Sequence, residues 1–331
     1  MQNHSYDLLA IGNAIVDVIA RAEEDFLQRE AIHKGAMILI DEPRALHLNA
    51  RMGPATIQSG GSAANTIAGA ASLGLRAAYI GKVKADEMGA HFRRDIEALG
   101  VHFPSAPALD GPATARCFII VTPDGERTMN TYLGACTNLT EADIDKATVE
   151  ASGIVYLEGY LWDPPAAKLA FVKASEIAHA AGRRVALTLS DSFCVDRYRD
   201  EFIDLMRRGV VDILFANQHE LKALYQTADF DTAVAELRKE GVLAAVTRSE
   251  LGSLVVTPES ITEVPASCIA ELIDTTGAGD LYASGFLAGL ARGAGHRDCA
   301  RLGALAAAEV IQHIGARPQV SLAALAKAEG L

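Results

Sequence analysis

Paired cysteine is missing from this sequence. The five cysteines, Cys117, Cys136, Cys194, Cys268 and Cys299, are odd in number and widely spaced, with no C-x-x-C pair and no histidine at zinc-ligand spacing. A disulfide framework and a structural zinc site are thereby excluded, and the cysteines read as buried or free thiols in a reducing compartment. Positive charge is also in deficit. Thirty Lys and Arg stand against 42 Asp and Glu, a net charge of −12, so repulsion from polyanions dominates at long range and nucleic acid and anionic membranes are poor partners. A membrane-length apolar run is lacking too: the longest uncharged stretch, 52–75, holds Pro54, five glycines, Gln58 and Asn65. It reads instead as a strand, a glycine turn and a small-residue helix. No basic residue precedes Arg21, and Asp7 and Asp17 interrupt the first apolar stretch, so the expectation is a chain without a signal peptide, located in the cytoplasm.

What is present is ordinary globular composition, 50% hydrophobic and 22% charged, in 331 residues. That length allows two domains or one large α/β unit. Apolar runs of strand length at 6–12, 77–81, 154–158, 185–189, 211–216 and 243–247 alternate with helical stretches, which predicts a mostly parallel sheet covered by helices on both faces. One helix is expected to be capped by Asp163, with Pro164 and Pro165 in its first turn and Gly182 beyond its end. Another opens after Asp86 and puts Met88, Phe92, Ile96 and Leu99 on one face before Gly100. Two regions break the alternation. Extended pieces at 14–20 and 36–40, and a hairpin at 113–132 around Pro123, Asp124 and Gly125, predict a small β-rich lid drawn from about 13–58 and 105–135.

The sharpest chemical signal is Asp274-Thr275-Thr276-Gly277-Ala278-Gly279-Asp280 ahead of a small-residue helix. Backbone N–H groups of Gly277, Ala278 and Gly279 at a helix N-terminus form an anion site, and the helix dipole adds to the pull. Asp280, inside that turn, is placed to take a proton from an attacking hydroxyl, and the helix end is expected to keep it ionised. Other glycine motifs fail on spacing: Gly12 leads into Asn13-Ala14-Ile15 rather than G-x-G-x-x-G, and no Walker A pattern occurs. Gly60-Gly61-Ser62-Ala63-Ala64-Asn65 makes a second glycine turn ending in an amide that can donate and accept. Asp17 lies just past the first strand, where open α/β sheets place ligands, and its two oxygens suit neighbouring sugar hydroxyls. Taken alone, Asp17 reads more readily as a solvated turn acid, and Gly60-Gly61 reads equally as close backbone packing.

Together these stretches resemble the PfkB, or ribokinase-like, family of carbohydrate and nucleoside kinases, over nearly the whole chain. The resemblance implies a three-layer α/β/α core with a lid, and ATP-dependent transfer of phosphate to an alcohol. Asp280 would be the base, and Gly277, Ala278 and Gly279 the anion hole. Asn217-Gln218-His219-Glu220 matches the family's N-x-x-E element, which implies that Asn217 and Glu220 help place Mg²⁺ and phosphate through water. Linking segments are most similar to the adenosine kinases within the family. This implies that Asn13, Asp17, Gly61 and Asn65 hold ribose hydroxyls. It also implies that Leu39, Leu133, Ala135 and Phe193 line a purine pocket, with Tyr160, Leu161 and Trp162 nearby; each apolar residue reads equally as core. The family's phosphate segment appears as Thr247-Arg248-Ser249-Glu250-Leu251-Gly252, with Ser249 in place of a glycine, where positive φ would cost energy. Arg248 reads as a phosphate contact or a surface arginine. Lys84 likewise replaces a glycine, and GGSAAN at 60–65 is intermediate between nucleoside and sugar kinases. The family often binds a monovalent cation near a late Gly-Ala loop, here Gly315-Ala316, so K⁺ joins ATP and Mg²⁺ among the implied cofactors. The expected partners are a nucleoside or sugar and ATP, with the chain a monomer or homodimer.

Overall fold

The computed structural model describes residues 4–331. Its strands in chain order are β1 (Tyr6–Ile11), β2 (Ile15–Arg21), β3 (Met37–Leu39), β4 (Ala55–Gly60), β5 (Ala77–Ile80), β6 (Ala115–Val121) and β7 (Arg127–Tyr132), followed by β8 (Ser152–Glu158), β9 (Arg184–Thr188), β10 (Ile213–Asn217), β11 (Leu243–Thr247), β12 (Ser253–Val256) and β13 (Ile261–Val264). The eight-stranded sheet runs β13-β12-β11-β10-β9-β8-β1-β5. It is parallel from β5 to β11 and antiparallel at β12 and β13.

Both faces of this sheet are buried, which is why its strands read as unbroken apolar runs. Leu8, Ala10, Tyr79, Tyr156 and Phe215 pack on one side with helices Ser62–Ser72, Glu87–Ala98, Ala278–Ala291 and His296–Val310. Leu9, Ile11, Val155, Leu157 and Leu214 pack on the other with helices Pro165–Ala180 and Ser192–Arg207. The resulting α/β/α sandwich is the predicted fold class.

Local expectations fared unevenly. Asp86 does cap helix Glu87–Ala98, accepting from the Gly89 N–H at 2.8 Å. Phe92 and Ile96 are fully buried beneath it, but Leu99 is 43% exposed, because the helix has ended and its side chain swings off the stripe. Asp163 is not the cap of the following helix. Pro164 holds that position, and Asp163 pairs with Arg197 at 3.0 Å. The strand expected from 211 starts at Ile213 and takes in Asn217.

A second sheet, order β3-β7-β6-β2-β4, is built from non-contiguous stretches. Its connection from β2 to β4 also contains helices Glu24–Arg29 and Glu42–Arg51, which the extended pieces did not anticipate. The second is capped by Asp41 with Pro43 in its first turn. Together they cover Val18, Phe118, Ile120 and Tyr132. The opposite face carries Asp17 and a small apolar cluster of Ile15, Ile19, Cys117, Ile119, Val121 and Met129, to which no helix contributes among the described residues. Register places Gln58, Asp17, Cys117, Thr131 and Leu39 in one row across that face.

Candidate active site

Asn13, Glu158, Asn217 and Thr247 all stand at or just past the C-terminal ends of parallel strands, the edge where open α/β sheets bind ligands. Facing that edge, helix Ala278–Ala291 starts at Gly277, whose φ of 81° puts it in the left-handed region. A Cβ there would lie 2.8 Å from Ala316, so both conformation and space call for glycine. The N–H groups of Gly277 and Gly279 have no protein acceptor among the described residues. Ala278 departs from expectation: its N–H turns back to the Thr275 carbonyl at 3.2 Å, which leaves two of the three anticipated donors free.

Asp274, the first residue of the heptad, shapes this turn. Its carboxylate accepts from the Thr276 N–H at 3.0 Å, the Thr276 hydroxyl at 2.6 Å and the Gly315 N–H at 3.0 Å, and pairs with Arg127 of β7. Burial alone would raise its pKa, but these hydrogen bonds and the guanidinium prevail and hold it below its ordinary value. One carboxylate thus ties the glycine turn to the Gly315 loop and to the small sheet.

Asp280 faces the first turn of helix Ser62–Ser72. Ser62 donates its hydroxyl to Oδ1 at 2.7 Å, and Asn65 donates its amide to Oδ2 at 3.0 Å. Two opposing influences act on Asp280. Burial pushes it up to about 6, against the pull of those two hydrogen bonds, which places it near the range where a general base works well. Asn65 Oδ1 is buried with no partner, so Asn65 still has an acceptor to offer. Gly61 precedes this helix at φ 97°, and any Cβ would collide with the Asn13 carbonyl.

Asn13 is less free than expected. Its amide donates to Glu158 Oε1 at 2.7 Å and its N–H to Oε2 at 3.3 Å, while Ala63 N–H donates to Oε2 at 2.9 Å. Glu158 is 1% exposed, and burial pushes it up to about 7. Sequence reasoning passed over it because an acid ending an apolar strand carries no local signature. Asp17 has no hydrogen-bond donor among the described residues. Burial pushes it up to about 7, opposed by Arg317 and Arg127 and reinforced by Asp280.

Asn217 and Glu220 form a reciprocal capping box. Glu220 accepts from the Asn217 N–H at 2.9 Å and amide at 2.6 Å, while Asn217 Oδ1 accepts from the N–H groups of His219 and Glu220. Burial pushes Glu220 up to about 7. With both partners closed on each other, contact with a metal would run through water. No group of three His, Cys, Asp or Glu able to hold a metal occurs among the described residues, and Asn217 and Glu220 fit Mg²⁺ as an ion brought with nucleotide phosphates and reached through its water shell.

At the phosphate segment Ser249 does adopt φ 52°, the left-handed conformation its Cβ disfavours, and Gly252 follows at φ 80°. Arg248 is paired with Glu263 and donates to the Leu251 carbonyl at 3.1 Å, so in this conformation it is not reaching outward for phosphate. The four residues assigned to a purine pocket differ in exposure. Leu39 is 59% and Phe193 76% exposed, while Ala135 is buried and Leu133 partly so. Leu161 and Trp162 belong to the core, Trp162 packing on Phe171 and Phe202, and only Tyr160 stays partly accessible.

An α/β/α core with a carboxylate at a glycine-initiated helix and a small sheet beside it defines a phosphotransferase of the ribokinase-like class. Residues 7–322 match the family described as pfkB family carbohydrate kinase, and the chain belongs to it. It is similar to adenosine kinase from Sinorhizobium meliloti, with 56% identity, TM-score 0.92, and 98% of this chain and 99% of that one covered. It is also similar to a probable sugar kinase from Rhizobium etli CFN 42, with 52% identity, TM-score 0.93 and 99% of each chain covered. A nucleoside kinase of Methanothermobacter thermautotrophicus is 26% identical over 318 residues, covering 95% of this chain and 92% of its own. The chain is an ATP-dependent phosphotransferase acting on a nucleoside or sugar. Among the described residues no helix is long and apolar enough to cross a membrane.

Proposed function

We propose that this kinase phosphorylates the 5′-hydroxyl of adenosine to give AMP. The observation that carries the chemistry is Asp280, held by Ser62 and Asn65 beside the free N–H groups of Gly277 and Gly279. The 5′-oxygen attacks the γ-phosphorus and its proton passes to Asp280. The bond from that phosphorus to the β–γ bridging oxygen breaks, and ADP leaves. Mg²⁺ carried with ATP supplies charge neutralisation on the phosphates. The protein contributes position and oriented dipoles, which phosphoryl transfer chiefly requires.

Asp17 receives the ribose hydroxyls, and the small sheet acts as a lid whose Asp17-bearing face excludes water. The choice of adenosine is supported by the 56% identity to the S. meliloti adenosine kinase. A sugar acceptor is the second reading, favoured by one observation: Leu39 and Phe193 stand exposed rather than enclosed. Incubation with ATP and adenosine, followed by ³¹P NMR of the product, tests the proposal. A 5′-monophosphate supports it, and unchanged adenosine overturns it.

A further inference from the structure

Asp17 and Arg317 are both polar groups whose bonding capacity is unspent, and the fold brings them to the same place. Arg317 follows Gly315 and Ala316 in a loop that touches both halves of the site. Gly315 donates its N–H to Asp274 at 3.0 Å, and Ala316 packs on Gly277. On its other side, a Cβ placed on Gly315 would lie 3.4 Å from Gln58 Nε2, and Gln58 is the cross-strand neighbour of Asp17. The Nε and Nη2 atoms of Arg317 are enclosed without any hydrogen-bond partner. Unpaired buried donors of a cation are costly, so an anionic surrounding must offset them. Asp95 faces the guanidinium too, but its Oδ2 already accepts from the Ser59 N–H at 3.2 Å and hydroxyl at 2.9 Å, and lies 3.1 Å from His91 Nε2. Tyr79, the remaining polar neighbour, is a buried phenol.

We infer that Arg317 is a positioning residue for substrate binding, a buried counter-charge that favours the acceptor-only carboxylate form of Asp17 without occupying either of its oxygens. An arginine in direct contact would fill the lone pairs that substrate hydroxyls need. One set beyond bonding distance in a low-dielectric interior supplies the attraction and leaves both oxygens open. The other groups facing Asp17 are Arg127 from β7, Asp280 from the catalytic helix and the Cys117 thiol from β6. Of the two cations, Arg127 is already paired with Asp274, whereas no carboxylate bonds Arg317. This inference rests on the reading of Asp17 as the hydroxyl-binding acid, so its primary test uses no acceptor.

In full-length protein labelled with ¹³C at aspartate carboxyls, without nucleotide or acceptor, the resonance lost in Asp17→Asn is followed through a pH titration. Arg317→Gln is expected to move its midpoint upward by about one unit or more, and Arg317→Lys by less than half as much. With whichever acceptor is turned over, Arg317→Gln is expected to raise KM about tenfold at neutral pH, with kcat within about threefold. An Asp17 midpoint unchanged in a folded Arg317→Gln protein overturns the inference, whether or not adenosine is the substrate. Should that variant not fold, Asp95→Asn serves: it leaves Arg317 undivided between two acids and is expected to lower the Asp17 midpoint, and an unchanged midpoint again overturns the inference.

Discussion

Ser62 and Asp280 lie 218 residues apart in the chain and are joined by a 2.7 Å hydrogen bond. The glycine turn at the start of one helix therefore holds the acid at the start of another. With Asn65 on the second oxygen, the carboxylate has a fixed orientation before any substrate arrives.

Replacing Asp280 with Asn removes the proton acceptor and keeps the shape. Turnover is expected to fall by about 10²–10⁴-fold, while adenosine affinity, measured by calorimetry, stays within a few-fold. Turnover within threefold of the parent would remove Asp280 from its assigned role.

The pH dependence follows from two carboxyls raised by burial, Asp280 to about 6 and Asp17 to about 7. Both act ionised, so kcat/KM should rise with pH, with a slope approaching two below about pH 5 and a plateau above about pH 8. Asp17→Asn should reduce the slope to one with a midpoint near 6. A parent profile flat from pH 5 to 8 would contradict this.

Glu158 gives a stability prediction with a definite sign. Its folded pKa of about 7 exceeds the ordinary 4.5, so its contribution is complete below about pH 4.5 and is lost as pH rises through 7. Relative to wild type, Glu158→Gln should gain on the order of 3 kcal/mol between pH 4.5 and 8. Denaturant melts at both ends of that range measure it, and a constant difference between the two proteins would refute it.

Ser249 carries a left-handed conformation that glycine adopts freely. Ser249→Gly should stabilise the protein by up to about 1 kcal/mol and leave KM for ATP within twofold. Thermal denaturation and steady-state kinetics decide, and a lower melting temperature would show that the serine is locally favoured.

The residues legible in sequence were those whose chemistry is contiguous. The heptad, the Gly60-Gly61 turn and the strand-ending Asn217 announce themselves because backbone geometry and side chain occur together within a few positions. Glu158, Arg127 and Arg317 were not legible, since each acts on a partner distant in sequence: Asn13, Asp274 and, by the inference above, Asp17. The parallel sheet was readable from fully apolar strands. The helices Glu24–Arg29 and Glu42–Arg51 were hidden because they bury only Phe26, Leu27, Ala45 and Leu48, too few for a clear stripe. Leu39 and Phe193 show the opposite limit, where resemblance assigns a pocket role to side chains that stand exposed.

The most direct test of the central claim is kcat/KM for adenosine, guanosine, inosine, ribose and fructose, measured by ADP release on one preparation. The account predicts that adenosine exceeds every other acceptor by about 10²-fold or more, the discrimination expected where a site's polar groups match one substrate. Comparable or faster turnover of ribose or fructose, with adenosine inert, would contradict it.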